Sequence, residues 1–379
     1  MGVVSMAWVP RIPEIKEANG LTDTQFGLVL VASSVGAILG AQLSGRAIHR
    51  FGSRPAMYVS TVIVPLGAAI MGLATNAYVL VLGLFIMGLS YATLDVGGNA
   101  QAVAIEKHLN KRYITSFHGM WSVGTLVVTV FGASVAYLLT PSQNLLLVAG
   151  FGFVVFAFAS VRLLPPSLDE HQGDGEAETK NSVPWFGLAA IPLWIMGIGS
   201  AGSFIAEGSA ADWGALLLRD FMGIDKGLNA SAFATFALAM IFSRFIGDRL
   251  LTRFGPYRVV RYLGVVGGTM FGASILIGVW VSPYSQLAAL IIVNIGFFAA
   301  GMAIGPMFPA FILGATMIKG VAPSVGIARV GVISIAAYFV GPTLVGLLSD
   351  LITLPLAMLY PAAALVLAGY LARVLRVAK

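Results

Sequence analysis

The chain has 379 residues, 58% hydrophobic and 10% charged, with a mean hydropathy of +0.91; that is too apolar for a soluble fold of this length and places it in a lipid bilayer. Its net charge of +6 does not point to nucleic acid, because the cations sit in short turns between apolar runs, where they orient a membrane protein. Cysteine is absent, which excludes disulfides and thiolate metal sites, and the strict alternation over about 10 residues that marks a membrane barrel is missing.

Long apolar segments recur along the chain, and a helix needs about 20 residues to cross roughly 30 Å of hydrocarbon. Met1 to Val9 carries no Lys or Arg and no signal-peptide cleavage pattern. It stops at Pro10 and Pro13 and would cover only about 14 Å as helix. It is read as the outer half of a first helix whose beginning is missing, the alternative being a short half-helix at a genuine start. Crossings are then predicted over residues 26–45, 56–75, 78–104, 114–139, 144–164, 186–211, 229–247, 259–281, 286–315, 324–348 and 355–375. This is an all-α integral membrane chain of eleven full spans and a partial one.

Between Pro165 and Pro184 the composition turns polar, with Asp169, Glu170, Asp174, Glu176 and Glu178 among Gly, Ser and Gln. A solvated acidic linker over 165–184 therefore divides an N-terminal bundle, 1–164, from a C-terminal bundle, 185–379. Gly36, Gly40 and Ser44 share a helical face, and Gly83, Met87 and Gly88 lie close together on another; such small residues let backbones approach in lipid. Pro306, Pro309 and Pro342 fall within apolar spans and are expected to bend or open them. Gly197-Ile198-Gly199-Ser200-Ala201-Gly202 satisfies GxGxxG, with Asp220 beyond it, but a dinucleotide site needs a preceding strand. Here the glycines fall inside a membrane helix, so no cofactor is expected.

Ser44 to Gly52 recurs as Gly247 to Gly255: Arg46, Arg50, Phe51 and Gly52 match Arg249, Arg253, Phe254 and Gly255 at an offset of 203. Each copy links one long apolar run to the next, so two homologous bundles are expected, with a solute site at their seam. Counting Lys and Arg by side leaves four outside, Arg11, Lys16, Arg219 and Lys226, and Arg244 within a span; the rest of the 22 lie inside. Both hairpins, the linker and the C-terminus are therefore read as cytoplasmic.

At this hairpin the sequence resembles the major facilitator superfamily, whose signature reads roughly Gly-x-x-x-Asp-Arg-x-Gly-Arg-Arg; Gly45, Arg50, Gly52 and Arg54 fit it. His49 and Thr252 stand where the family has an aspartate, so the relay attributed to that acid does not carry over. Trp8 to Pro13 and Glu207 to Trp213 look like a poorly characterised bacterial permease subgroup distantly similar to sugar permeases. The resemblance implies two six-helix bundles related by a pseudo-two-fold axis that rock about a central site. It also gives Arg46, Arg50, Arg54, Arg244, Asp248, Arg249 and Arg253 a part in a cytoplasmic gate.

Charges away from helix ends are the best pointers to a site, because each costs at least about 2.5 kcal/mol at mid-membrane. Glu207 lies deep in its span and is a candidate for substrate or proton binding, or for a structural bond to a neighbouring helix. Asp212, five residues on and about 140° round the helix, pairs with Trp213 in a structural or gating role. Asp95 and Asn99 share one face, with His118 at similar depth and Trp121 and Ser122 a turn beyond it. This cluster binds a polar solute, passes a proton or ties two helices. Asn294 and Phe298 share a face that lines the cavity or packs. Arg244 is expected to pair near the inner gate, Arg329 to brace or attract an anion, and Arg11, beside Trp8, to anchor at the outer interface.

The chain is thus read as a secondary active transporter of a small polar organic solute, working by alternating access, with proton coupling through Glu207 or the Asp95 and His118 group left open. The alternative is a non-transporting membrane sensor or scaffold that keeps the transporter fold. Neither a nucleophile with its base, nor a metal site, nor an ATP site is visible, so no enzyme is expected. A small-molecule solute and the bilayer are its expected partners, with protons left open and no nucleic acid, and a monomer in a bacterial inner membrane is its expected form.

Overall fold

A computed structural model describes residues 1–109, 114–164, 187, 190–318, 321 and 323–376, and no β-strand occurs among them. The predicted linker, 165–184, lies outside the described residues. The chain forms two compact units, Met1–Asp174 and Gly175–Lys379.

The first unit opens with short pieces, α1 (Gly2–Ser5), a 3-10 turn at Val9–Arg11 and α2 (Ile12–Ala18), and continues with α3 (Asp23–Phe51), α4 (Ser53–Gly72), α5 (Ala77–Leu109), α6 (Ile114–Ser134) and α7 (Pro141–Ser160). Two of these long helices start on the same device. Thr22 accepts from the Gln25 backbone while the Gln25 side chain accepts from the Thr22 backbone, and Thr140 and Gln143 do the same for α7. Each box satisfies amide groups that the first turn would otherwise leave without partners.

The second unit comprises α8 (Ile191–Leu216), which runs on into a π-turn at Leu217–Phe221, then α9 (Ser231–Phe254), α10 (Pro256–Val281), α11 (Gln286–Ile304), α12 (Met307–Thr316), α13 (Pro323–Ile352), α14 (Leu354–Ala357), α15 (Leu359–Leu371) and a 3-10 turn at Ala372–Arg376. Among the described residues, nine helical stretches are long and apolar enough to cross a membrane, and Gly119–Ser134 is a shorter apolar one. Of the predicted crossings, 114–139 and 186–211 are not among the nine. The second falls on α8, which at 26 residues is long enough but carries Glu207 and Asp212.

Proline acts unevenly. Helix stops at Gly305 and Pro306 between α11 and α12, as expected for a residue that lacks a backbone donor. No break occurs at Pro309 or Pro342, each of which stays within continuous helix. The N-terminal stretch is not one helix as far as Val9, since a turn at Met6 to Trp8 separates α1 from the 3-10 turn.

Inside each unit, backbones touch through glycine. A Cβ at Gly36 or Gly40 would lie 2.2 Å from the carbonyl oxygen of Phe85 or Leu89, and one at Gly88 would lie 2.0 Å from that of Ser33, so α3 and α5 are in direct main-chain contact. In the second unit a Cβ at Gly301 would lie 2.2 Å from the Phe236 carbonyl oxygen, bringing α11 equally close to α9. Phe236 follows Ser33 by the same 203 residues that separate the two hairpins.

The hairpins agree in detail as well. Gly52 ends α3 at φ 83° and Gly255 ends α9 at φ 82°, a left-handed conformation that a side chain resists. Arg50 sits over the Phe51 ring at 5.1 Å and Arg253 over the Phe254 ring at 5.3 Å. Arg54 donates to the Tyr58 hydroxyl at 2.9 Å, and Arg261 to the Tyr257 hydroxyl at 2.7 Å. At the repeat offset, 54 and 58 become 257 and 261, so the pair is kept with its members exchanged.

Candidate functional site

Helix α8 is built largely of Gly, Ala and Ser and is buried along most of its length. Small residues let α13 and α15 approach it closely, so the few large side chains of α8 are conspicuous. Gly208 shows how close: a Cβ there would lie 2.7 Å from the Tyr338 carbonyl oxygen and 2.9 Å from Pro342 Cγ. Pro342 has no N–H to offer the carbonyl four residues earlier, which is that of Tyr338, and the bare face of α8 closes over this gap.

Glu207, next to Gly208, is buried at 8% exposure. Arg244 of α9 brings its Nη2 to 3.9 Å from Glu207 Oε2. That separation is too long for a hydrogen bond, so the attraction is Coulombic, in a setting where an unpaired carboxylate is costly. Arg244, expected to pair near the inner gate, has Glu207 for its partner. Two sets of bonds hold α9 in the register that makes this possible. Ser243, fully buried, donates to the Met302 carbonyl oxygen at 2.6 Å. Thr235 donates to Asn294 Oδ1 at 2.7 Å, and Asn294 Nδ2 donates to Ser231 Oγ at 3.0 Å and to the Leu290 carbonyl oxygen at 2.8 Å. Asn294, read as a candidate ligand, spends its amide on joining α11 to α9.

Sequence reading missed an aromatic group beside Glu207. Phe204, three residues earlier on α8, meets Phe308 edge-on at 5.2 Å and Tyr338 at 6.2 Å, and all three rings are half-buried. The i, i+3 spacing of Phe204 and Glu207 was a signal in the sequence; the other two rings come from α12 and α13, and nothing in their spacing ties them to α8. Asp212 is half-buried, and the neighbouring Trp213, with no exposed surface, donates from Nε1 to the Pro342 carbonyl oxygen at 2.9 Å. Trp213 therefore braces α8 against α13.

In the first unit Asn99 Nδ2 donates to Asp95 Oδ2 at 3.2 Å along α5, both residues half-buried. The His118 side chain, third member of the predicted cluster, lies outside the described residues. Trp121 Nε1 is buried and makes no hydrogen bond among the described residues. Gln101, which sequence reading passed over, donates to Ser53 Oγ at 3.0 Å and accepts from the Leu164 backbone at 3.0 Å, fastening the end of α5 to the start of α4 and to the end of α7.

Arg46, Arg50, Asp248, Arg249 and Arg253 are exposed and Arg54 half-exposed, and the contacts of these hairpin residues described above are local. Arg329 is buried in α13. Arg11, expected to anchor at the outer interface, is buried: at 1% exposure it reaches Glu14 at 3.1 Å from Nε and the Leu139 carbonyl oxygen at 2.9 Å from Nη2. Gly197 to Gly202 lie within α8, as expected of glycines in a membrane helix.

The sequence profile of the Major Facilitator Superfamily matches residues 2–317. An uncharacterised MFS-type transporter of Yersinia pestis is 27% identical over 357 residues, covering 94% of this chain and 88% of its own length. An uncharacterised transporter of Sinorhizobium fredii is 27% identical over 375 residues, covering 99% and 95%. Among solved structures a point mutant of the nucleoside transporter NupG superposes with a TM-score of 0.77 at 12% identity, covering 99% of this chain and 98% of that one, a likeness of fold.

Proposed function

Because the chain belongs to the Major Facilitator Superfamily, we propose that this multi-pass membrane transporter is a secondary active carrier of a small polar organic solute, working by alternating access. The observation that carries this reading is the buried Glu207 held 3.9 Å from Arg244 on a neighbouring helix. An intramembrane acid and base in contact give a solute two charged groups of opposite sign to bond, and give a proton a place to compete. Protonating Glu207 cancels its attraction for Arg244, so proton occupancy and solute occupancy become linked through one carboxylate. The half-buried rings of Phe204, Phe308 and Tyr338, packed edge to face, supply an apolar surface one turn away. Asp95, Asn99 and the indole N–H of Trp121 are the corresponding polar groups of the first unit, and His118 belongs with them on this reading.

The excess of Lys and Arg in the hairpins, the central linker and the C-terminus supports an orientation with all of these in the cytoplasm of a bacterial inner membrane. The arginines of the two hairpins and Asp248 then serve as the inner gate, with bundles 1–164 and 185–379 moving as monomer halves on either side of the linker.

Purified protein in proteoliposomes tests this. A panel of nucleosides, sugars and organic acids is screened for counterflow, and the solute that exchanges is then driven by a pH gradient. Glu207→Gln is expected to lose gradient-driven accumulation. Solute binding with no flux in any assay would instead favour a sensor or scaffold, and active uptake without alkalinisation of the outside medium would reject proton symport.

A further inference from the structure

At one end of the second unit two arginines lie against two tyrosine rings, and two more arginines stand near them in the sequence. Arg376 lies 3.7 Å over the ring of Tyr257, and Arg261 lies 5.8 Å from the same ring and 5.9 Å from that of Tyr370. Arg258 and Arg373 are exposed one residue and three residues from these tyrosines. None of the four is ion-paired among the described residues. Two guanidinium groups held against one ring bring two positive charges to the same place, which favours an anion there. A guanidinium stacked on a ring keeps the N–H edges that match a phosphate's oxygens; Arg261 spends one of these on the Tyr257 hydroxyl and Arg376 spends none among the described residues.

What adjoins the cluster identifies the anion's carrier. Arg258 begins a series at four-residue spacing, Tyr262, Val266 and Met270, whose side chains are exposed along α10. Leu367 and Tyr370, exposed on α15, lead at three-residue spacing to Arg373. Helix α10 packs against both α15 and the 3-10 turn at Ala372–Arg376. Two apolar stripes on adjoining elements thus end in arginine at the same end, which is the pattern for a ligand with a charged head and hydrocarbon tails. Free phosphate would have no use for the stripes.

We propose that Arg261 and Arg376, held on Tyr257 and Tyr370, together with the exposed Arg258 and Arg373 at the ends of the two stripes, bind the phosphate of an anionic membrane phospholipid whose acyl chains lie along α10 and α15.

The test is native mass spectrometry of the full chain in neutral detergent with added phosphatidylglycerol or phosphatidylcholine. Wild type is expected to retain phosphatidylglycerol in preference to phosphatidylcholine. Each exposed arginine removed, Arg258→Gln or Arg373→Gln, is expected to lower that retention about fivefold, and the pair about thirtyfold. Arg162→Gln, at the end of α7, is expected to leave it unchanged, and melting in phosphatidylcholine confirms folding. Should the pair fail to fold, the two single variants give the same reading. Undiminished retention by a folded variant would overturn the proposal, as would displacement of the lipid by inorganic phosphate at equal concentration.

Discussion

In the hairpin after α3, Arg54 donates to Tyr58; in the hairpin after α9, the tyrosine is Tyr257 and the arginine is Arg261, one helical turn on in each case. The glycines that turn the chain, Gly52 and Gly255, differ by one degree in φ, and the arginine before each phenylalanine sits on it in the same way. Five residues before the Arg46 and Arg249 match, however, the first copy has Ala41 and the second has Arg244, the partner of Glu207. The polar centres diverge accordingly. In the first unit Asp95 and Asn99 bond along one helix, whereas in the second an acid and a base face each other from two helices. A close contact of glycine with main chain occurs in both copies, Gly88 on Ser33 and Gly301 on Phe236, although Gly36 and Gly40 become Ala239 and Ser243 at the repeat offset, while the side-chain partners of the polar centres differ.

The largest effect is expected where main chain meets main chain. Gly88→Leu and Gly301→Leu each place a side chain into a carbonyl oxygen 2.0 Å or 2.2 Å away, and each is expected to cost at least about 3 kcal/mol, more than ordinary overpacking. Loss of the monodisperse peak in size-exclusion chromatography reads this out. A large loss in one copy with none in the other would break the equivalence of the α3–α5 and α9–α11 contacts.

A smaller effect separates the polar centres. Arg244→Gln leaves Glu207 without its partner, and because Arg244 is partly exposed the expected loss is about 1–3 kcal/mol, below that of a fully buried pair. Adding Glu207→Gln is expected to recover part of it, since the lone charge is gone; additive losses in denaturant unfolding would show that the two groups are not coupled. Ala41→Arg, the reciprocal change in the first copy, is expected to gain nothing. The smallest effect belongs to the turns: Gly52→Ala and Gly255→Ala should each cost about 1 kcal/mol, seen as equal falls in melting temperature, because both glycines hold a positive φ. Unequal falls would mean that one hairpin is held by contacts the other lacks.

Part of the site could be read in advance. Asp95 and Asn99 were placed on one face by their spacing alone, and Glu207 was singled out because an acid in an apolar span is costly. The cost of Glu207 says that a partner is needed without saying which. Arg244 lies on another helix, and the rotation of one helix against the next depends on the sliding and turning that Ser243, Asn294 and Gly301 arrest. The aromatic group of Phe204, Phe308 and Tyr338 was hidden for the same reason, since three helices contribute to it. For Asn294 the spacing left cavity and packing equally open, and only the structure shows its bonds to Ser231 and Thr235 on α9.

Sequence by itself determined that this chain is a helical membrane protein, where most of its crossings run and where its repeat falls, because hydrocarbon thickness and backbone hydrogen bonding impose a length and a composition on every span. It also determined the hairpin turns, because a positive φ after a cationic run selects glycine. Tertiary structure alone decided which polar groups meet: Glu207 with Arg244, Asn294 with Ser231 and Thr235, Arg376 with Tyr257 and Arg261 with Tyr370. Those encounters are set by how small residues allow neighbouring helices to close, to a fraction of an ångström, and periodicity along a single helix carries no information about the rotation of the next.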